Sequence, residues 1–158
     1  MIKIRRGIDI PLAGAADSNI DSSLNVRNVA LVGADYEGMK PTMAVSEGDT
    51  VRKGQIIFSD KKTLGINFAA PASGKVVALN RGARRVFQSL VIEIDDSLEP
   101  VDFGAHSLQE ARALSGEAIR NQLISSGQWT ALRARPYGKV ADPESQPAGL
   151  FITAIDTH

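Results

Sequence analysis

The chain has 158 residues, 43% of them hydrophobic and 23% charged, with 18 Lys+Arg balanced by 18 Asp+Glu and no cysteine. That composition belongs to a folded globular protein, long enough for one ordinary domain or for a small domain with a piece of another, and its neutrality leaves no field to draw it to nucleic acid. The missing thiols exclude disulfides, iron–sulfur ligation, thiolate zinc sites and cysteine nucleophiles from this chain, and suit a reducing compartment.

Residues 1–27 read as an extended N-terminal segment. Met1 through Ile4 alternate apolar and basic side chains as a half-buried edge strand does, and no apolar stretch follows that would make them a secretory signal. The string GIDIPLAG at 7–14 is closed by a proline and a glycine that forbid a regular helix, and residues 15–25 are small and polar, hence a loop. Val26 through Val32 supply the next strand, ending at Gly33. Nowhere does an apolar run approach the ~18 residues a membrane span needs, so any membrane link runs through a partner.

Residues 38–94 carry the organising pattern. At 45–58 the string VSEGDTVRKGQIIF sets short apolar runs between glycines, as in brief strands joined by tight bends where Gly supplies a positive φ. The pattern returns 34 residues later: LNRG at 79–82 answers VSEG at 45–48, and LVI at 90–92 answers IIF at 56–58, with APASGKV at 70–76 as the turn between. Neither half is stable alone, so two look-alike half-sheets are expected to close face to face over 28–95 as a flattened barrel or sandwich with a pseudo-two-fold axis.

Asp95 through Pro100 break regular structure, and 96–106 reads as a linker. Ser107 and Glu110 have capping-box spacing and open a short helix. Ser115 caps a second helix whose Ile119, Leu123 and Ile124 form an apolar stripe, and Gly127 stops it. Residues 128–147, rich in Arg, Pro and Gly, are expected to run over a surface. Leu150 through Asp156 form an apolar run of the kind found in buried parallel strands. A buried strand with nothing after it predicts that the 158 residues are a fragment.

The strings at 45–58 and 70–76 resemble the lipoyl/biotinyl-type barrel-sandwich hybrid, a fold used both for swinging-arm carriers and for inert modules, so function is argued separately from fold. Further strings, GIDIPLAG at 7–14, VALVGADYEGMKPTM at 29–43, DKK at 60–62, NRGARRV at 80–86 and SGQWTALRARPY at 126–137, are similar to the A subunit of bacterial sodium-translocating NADH:quinone reductases. The resemblance implies a mainly β chain: a barrel-sandwich hybrid, then short helices over 107–158 leading to the first strand of a truncated Rossmann-like domain. It also implies a peripheral subunit on the cytoplasmic side of the bacterial inner membrane, among integral membrane subunits. That complex oxidises NADH, reduces ubiquinone and exports sodium ions, so the chain counts as part of a translocase without catalysis of its own. Flavins and an iron–sulfur centre belong to other subunits. Quinone interaction is associated with the A subunit, although the sequence outlines no pocket for it.

Several residues compete for chemical roles. Lys61, after Asp60 near the bend between the half-sheets, sits where a lipoyl or biotin carrier presents its modified lysine. The Lys62-Thr63-Leu64 that follows is unlike a carrier, and a solvated lysine pair is the plain alternative. Met39-Lys40 matches the biotin-acceptor dipeptide, but it precedes the first turn and is followed by Pro41. By analogy of order with flavin-bearing relatives, 127–137 would cradle an FMN phosphate, a task for glycines. Trp129, Leu132, Arg133, Arg135 and Pro136 stand there instead, so no FMN is expected in this chain, and no GxGxxG for NAD is present. Arg133 and Arg135 suit a carboxylate clamp, a contact with another subunit or a plain salt-bridging loop; Trp129 suits an interface anchor. Arg81, Arg84 and Arg85 are the densest basic patch, either a wet face or a contact for an acidic subunit or lipid headgroups. His106 is the one histidine away from the terminus, with no second His or Cys nearby, so no metal site is expected, and neither a catalytic residue nor a cofactor ligand is assigned. Two other classes stay open beside the role in a complex: a carrier modified on Lys61, and a free-standing binding module for anions or a protein partner.

Overall fold

A computed structural model describes residues 13–14, 19–20 and 22–152; the edge strand and lead-in expected over 1–12 lie outside them. The architecture is mainly β. Strands β1 (Asn28–Val32), β3 (Thr50–Val51), β6 (Gly74–Arg81) and β7 (Phe87–Ile94) form a four-stranded antiparallel sheet in the order β1-β7-β6-β3. Strands β2 (Pro41–Met43), β4 (Ile56–Asp60) and β5 (Asn67–Ala69) form a second antiparallel sheet in the order β2-β4-β5. The chain changes sheet at the bends between β2 and β3 and between β3 and β4, where Gly48 and Gly54 have φ of +94° and +87° as the bends require.

The two sheets share one core. Ile57 and Phe58 of β4 and Phe68 of β5 meet Val51, Val76, Phe87, Leu90 and Ile92 of the other sheet, all buried. Phe58 stacks on Phe68 with centroids 4.5 Å apart and meets Phe87 edge-on at 5.2 Å, so one ring joins both layers. Such pairs add to the area they bury.

The 34-residue echo is visible in the pairing. β4 and β7 fall in opposite sheets, and the β2–β4 register (Pro41↔Asp60, Met43↔Phe58), carried forward by that offset, becomes the β6–β7 register from Ala78↔Val91 to Asn80↔Ser89, past a bulge. The halves are nonetheless unequal: β6 and β7 have 8 residues each, against 3 in β2 and 5 in β4. The bends differ too. Gly82, matched to Gly48 in sequence, has φ −90°, and the left-handed positions fall on Arg84 (φ 55°) and Arg85 (φ 61°). At Gly74 the fold leaves no choice: φ is +151°, and a Cβ would lie 1.9 Å from the Glu93 carbonyl oxygen.

Beyond the barrel, helix α1 (Leu108–Ala113) opens on the expected capping box: the Ser107 hydroxyl accepts from the Glu110 N–H at 3.3 Å, and Glu110 Oε2 accepts from the Ser107 N–H at 2.7 Å. Helix α2 (Gly116–Ser125) is capped by Ser115, whose hydroxyl accepts from the Ala118 N–H. Its apolar stripe is shallower than expected: no residue of α2 is buried, and Ile119 is 40% exposed.

Residues 128–147 are more structured than a surface loop. Gln128–Ala131 make a 3-10 turn, and β8 (Arg133–Ala134) pairs with β9 (Lys139–Val140) as a short hairpin. Trp129 and Pro143 are buried there. Leu150, Phe151 and Ile152 are 72%, 87% and 87% exposed and lie in no strand, so the burial expected of that run is not found among the described residues.

Candidate functional site

Two concavities form where β1 leaves its sheet. A 3-10 turn at Gly33–Asp35 is followed by tight hydrogen bonds, Tyr36 N–H to Gly33 O at 3.2 Å and Met39 N–H to Tyr36 O at 3.1 Å, which set residues 36–39 as a wall with a cleft on each side. Tyr36 leans on the core: its ring meets Phe68 edge-on at 4.7 Å. From the other side the Arg133 guanidinium lies 4.9 Å from the Tyr36 centroid and donates to Asp35 O at 3.1 Å and Gly138 O at 3.3 Å. Burial pushes the Tyr36 phenol above its ordinary value, with the Arg133 charge opposing and Asp35 adding to the rise. At neutral pH the phenol is therefore a hydrogen-bond donor and not a base.

One cleft, of about 160 Å³, lies between this wall, the loop after β4 and β9. Met39 and Val140, backed by the buried Ile66 and Phe68, supply its smaller apolar part, while Lys62, Thr63 and Lys139 bring donors and Asp60 and Glu37 bring carboxylates. Asp60 Oδ1 accepts from the backbone N–H groups of Lys40 (3.0 Å) and Lys62 (3.1 Å), which fixes the loop. Lys62 Nζ donates to Gly38 O at 2.5 Å. Lys139 also approaches Gly38, its Cε 3.8 Å from where a Cβ on that glycine would stand. Two lysines thus border a mainly polar slot, Lys62 bonded to Gly38 O and Lys139 with its ammonium 5.9 Å from the Tyr137 ring centroid, and the lining contains no nucleophile–base pair. Among the described residues no group of three or more His, Cys, Asp or Glu is placed to hold a metal ion.

A second, wider groove of about 630 Å³ opens on the other side of the wall, between Val32–Ala34 and the β6–β7 hairpin.

The residues singled out from sequence are scattered between these features. Arg81, Arg84 and Arg85 are exposed on the β6–β7 hairpin, where Arg81 Nη1 donates to Arg85 O at 3.5 Å. Trp129 is buried, with Nε1 donating to Ala141 O, just past β9, at 2.8 Å. Arg133 is committed to the Tyr36 wall, and Arg135 is exposed at the hairpin bend. Lys61 is exposed on the turn after β4, its backbone N–H bonded to Lys40 O at 2.7 Å. The structure brings Arg133 to the site and leaves Arg135, Lys61 and the hairpin arginines outside the smaller cleft. Tyr36, Lys62 and Lys139 were not singled out by sequence reasoning. The available signal was Tyr36 bracketed by Gly33 and Gly38, a tight-turn spelling around an aromatic ring.

Residues 2–95 match the family model for the NqrA N-terminal barrel-sandwich hybrid domain, and residues 114–158 match the model for the NqrA second alpha/beta domain. The A subunit of the Na(+)-translocating NADH-quinone reductase of Alcanivorax borkumensis is 52% identical over the whole chain, that of Pseudomonas aeruginosa is 50% identical and that of a Marinomonas species 49%. In each case the alignment covers 100% of this chain and 35% of the relative, so the chain spans about a third of the length of the curated relatives it matches. With one family model spanning the entire barrel and half the residues shared along the full length, this chain belongs to the NqrA family.

Proposed function

We propose that this chain is the barrel-sandwich part of a peripheral subunit in a membrane complex that oxidises NADH, reduces ubiquinone and moves sodium ions, and that it acts there as a docking block. The observation that carries this reading is the identity of about half its residues, over its whole length, with proteins named as the A subunit of that reductase. No helix among the described residues is long and apolar enough to cross a membrane; in this reading the chain attaches through integral subunits on the cytoplasmic side. The chain holds no flavin of its own in this reading, which is supported by the packing of Gly127 on Ala69 and the burial of the Trp129 side chain, where a phosphate cradle needs open glycine backbone. Electrons then pass between flavins and an iron–sulfur centre in neighbouring subunits.

The same reading gives the Tyr36 cleft a role in quinone interaction. At about 160 Å³ it is smaller than the ~300 Å³ where drug-sized pockets begin, so it suits a single substituted ring with the tail outside. In this reading Lys62 and Lys139, which line the cleft, turn their remaining N–H groups to the ring carbonyls, and Met39 and Val140 flank the ring.

Two measurements test the proposal. Expressed as part of its full-length subunit, the chain should co-purify with integral membrane subunits at its unmodified mass; a lipoyl or biotinyl increment on Lys61 would replace the docking role with that of a carrier. Trp129 is the chain's only tryptophan, and its fluorescence should be quenched saturably by a short-tailed ubiquinone. Lys62→Ala combined with Lys139→Ala should weaken that quenching about tenfold, the loss of two charge-assisted contacts. Unsaturable quenching would leave docking as the single function.

A further inference from the structure

The wider groove beside the Tyr36 wall is not used by the reading above. Its floor and sides include Met39, Phe87, Val32 and Val86. Val32 is 40% exposed and Val86 62%, so apolar surface stands open to solvent inside a concavity. Glu37 lines the groove on the wall side. Next to Val86, the β6–β7 hairpin carries Arg84 and Arg85, both exposed, with Arg81 at its base. Among the described residues no carboxylate forms an ion pair with these three guanidinium groups; Arg81 donates to a backbone carbonyl of the same loop.

The backbone at the tip is unusual. Arg84 and Arg85 occupy the left-handed region in succession, at φ 55° and 61°, where glycine or asparagine is expected. A turn that sets two arginines in such positions keeps charge at the rim at a conformational cost, and strained non-glycine residues cluster at binding surfaces.

We propose that this groove seats an acidic segment of a partner protein, with one apolar side chain entering between Val32 and Val86 and carboxylates facing Arg84 and Arg85. Charge complementarity selects the partner's sign and direction: its acidic end lies toward the hairpin and away from Glu37. Shape selects a protein segment over a bilayer, because an anionic membrane meets convex basic surfaces and cannot follow a concave apolar floor. The inference rests on the docking-block reading and adds to it which face docks and what chemistry it meets.

A photo-crosslinking amino acid at Val86, placed in the full-length subunit of the assembled complex, tests it directly. The expected adduct is a peptide of another subunit in which an apolar residue is flanked by Asp or Glu. Arg84→Glu with Arg85→Glu should lower the adduct yield at least tenfold, whereas Arg84→Lys with Arg85→Lys should keep it, and circular dichroism should show both pairs folded. An adduct to lipid, to a second copy of the same subunit or to a peptide without acidic residues, or no adduct at all, overturns the proposal. If the Glu pair still assembles with unchanged yield, the groove is not the seat while the docking-block reading stands; loss of co-purification by the unsubstituted subunit would instead sink that broader reading.

Discussion

The barrel and the segment that follows it are held by different means. In the barrel, eleven apolar residues are buried against one another from both sheets. In the described segment after residue 100, no residue of α1 or α2 is fully buried, and Trp129 and Pro143 are the large buried side chains. Attachment there depends on discrete anchors: Val101 N–H to Lys53 O at 2.8 Å, Asn67 Nδ2 to Ile124 O at 3.3 Å, Arg133 on Asp35, and Gly127 against β5. At Gly127, φ is +75° and a Cβ would stand 2.9 Å from the Ala69 Cβ, so one glycine both ends α2 and permits the contact. Burial spread over many residues gives a cooperative unit, whereas a few anchors give a region that opens locally at lower free energy.

This contrast fails if single truncations in the two regions have similar reach. Phe58→Ala should have the largest effect, removing the ring that touches both Phe68 and Phe87. A loss of about 4 kcal/mol is expected, a large part of a typical domain's stability, and urea denaturation should show the whole chain unfolding earlier. Trp129→Ala should cost the C-terminal segment about 3 kcal/mol through the cavity and the orphaned Ala141 carbonyl, while the barrel's amides keep their protection in hydrogen exchange. Equal loss of protection in β4 and β7 would mean that the segment and the barrel are a single cooperative unit.

The same division explains what could be read in advance. Apolar runs separated by Gly at fixed spacing named the barrel and even its internal offset, because bends that need a positive φ and strands of period two leave marks in sequence. The caps at Ser107 and Ser115 were equally legible, since capping chemistry is local. The Tyr36 cleft was not. It is made by residues 36–39, 60–68 and 139–140, and only pairing and packing bring these stretches together. Arg133, a candidate clamp by sequence, is absorbed by Tyr36 and by backbone carbonyls of Asp35 and Gly138, which no local pattern could reveal. The unequal halves had the same origin: the glycine at 82 suggested a repeat of the first bend, and the fold moved the left-handed positions to Arg84 and Arg85.

That displaced bend gives a sharper test within the barrel itself. Replacing Arg84-Arg85 by Asn-Gly puts the residues that favour left-handed backbone where the turn needs them, and should raise stability by about 1 kcal/mol in urea titration. If the arginines serve the groove, the gain in stability accompanies a loss of partner contact, the usual exchange at a strained functional turn. Unchanged or lower stability would mean that the turn is not strained.

The smallest effect lies at the seam between the two regions, where Tyr36 of the barrel meets Arg133 of the hairpin. Burial raises the Tyr36 phenol pKa and the Arg133 cation partly offsets that rise. A group whose folded pKa is raised contributes stability that is complete below its unfolded value, near 10 for tyrosine, and is lost as pH climbs through the folded value. In a Tyr137→Phe background, which leaves Tyr36 as the only tyrosine, ultraviolet titration should therefore place the phenolate above the ordinary tyrosine range. Adding Arg133→Ala should move it higher still, because the favourable cation is gone while the desolvation contributed by Phe68 and the core remains. A downward move on removing Arg133 would show that the arginine acts chiefly by covering the ring from water, making the seam a packing contact and not an electrostatic one.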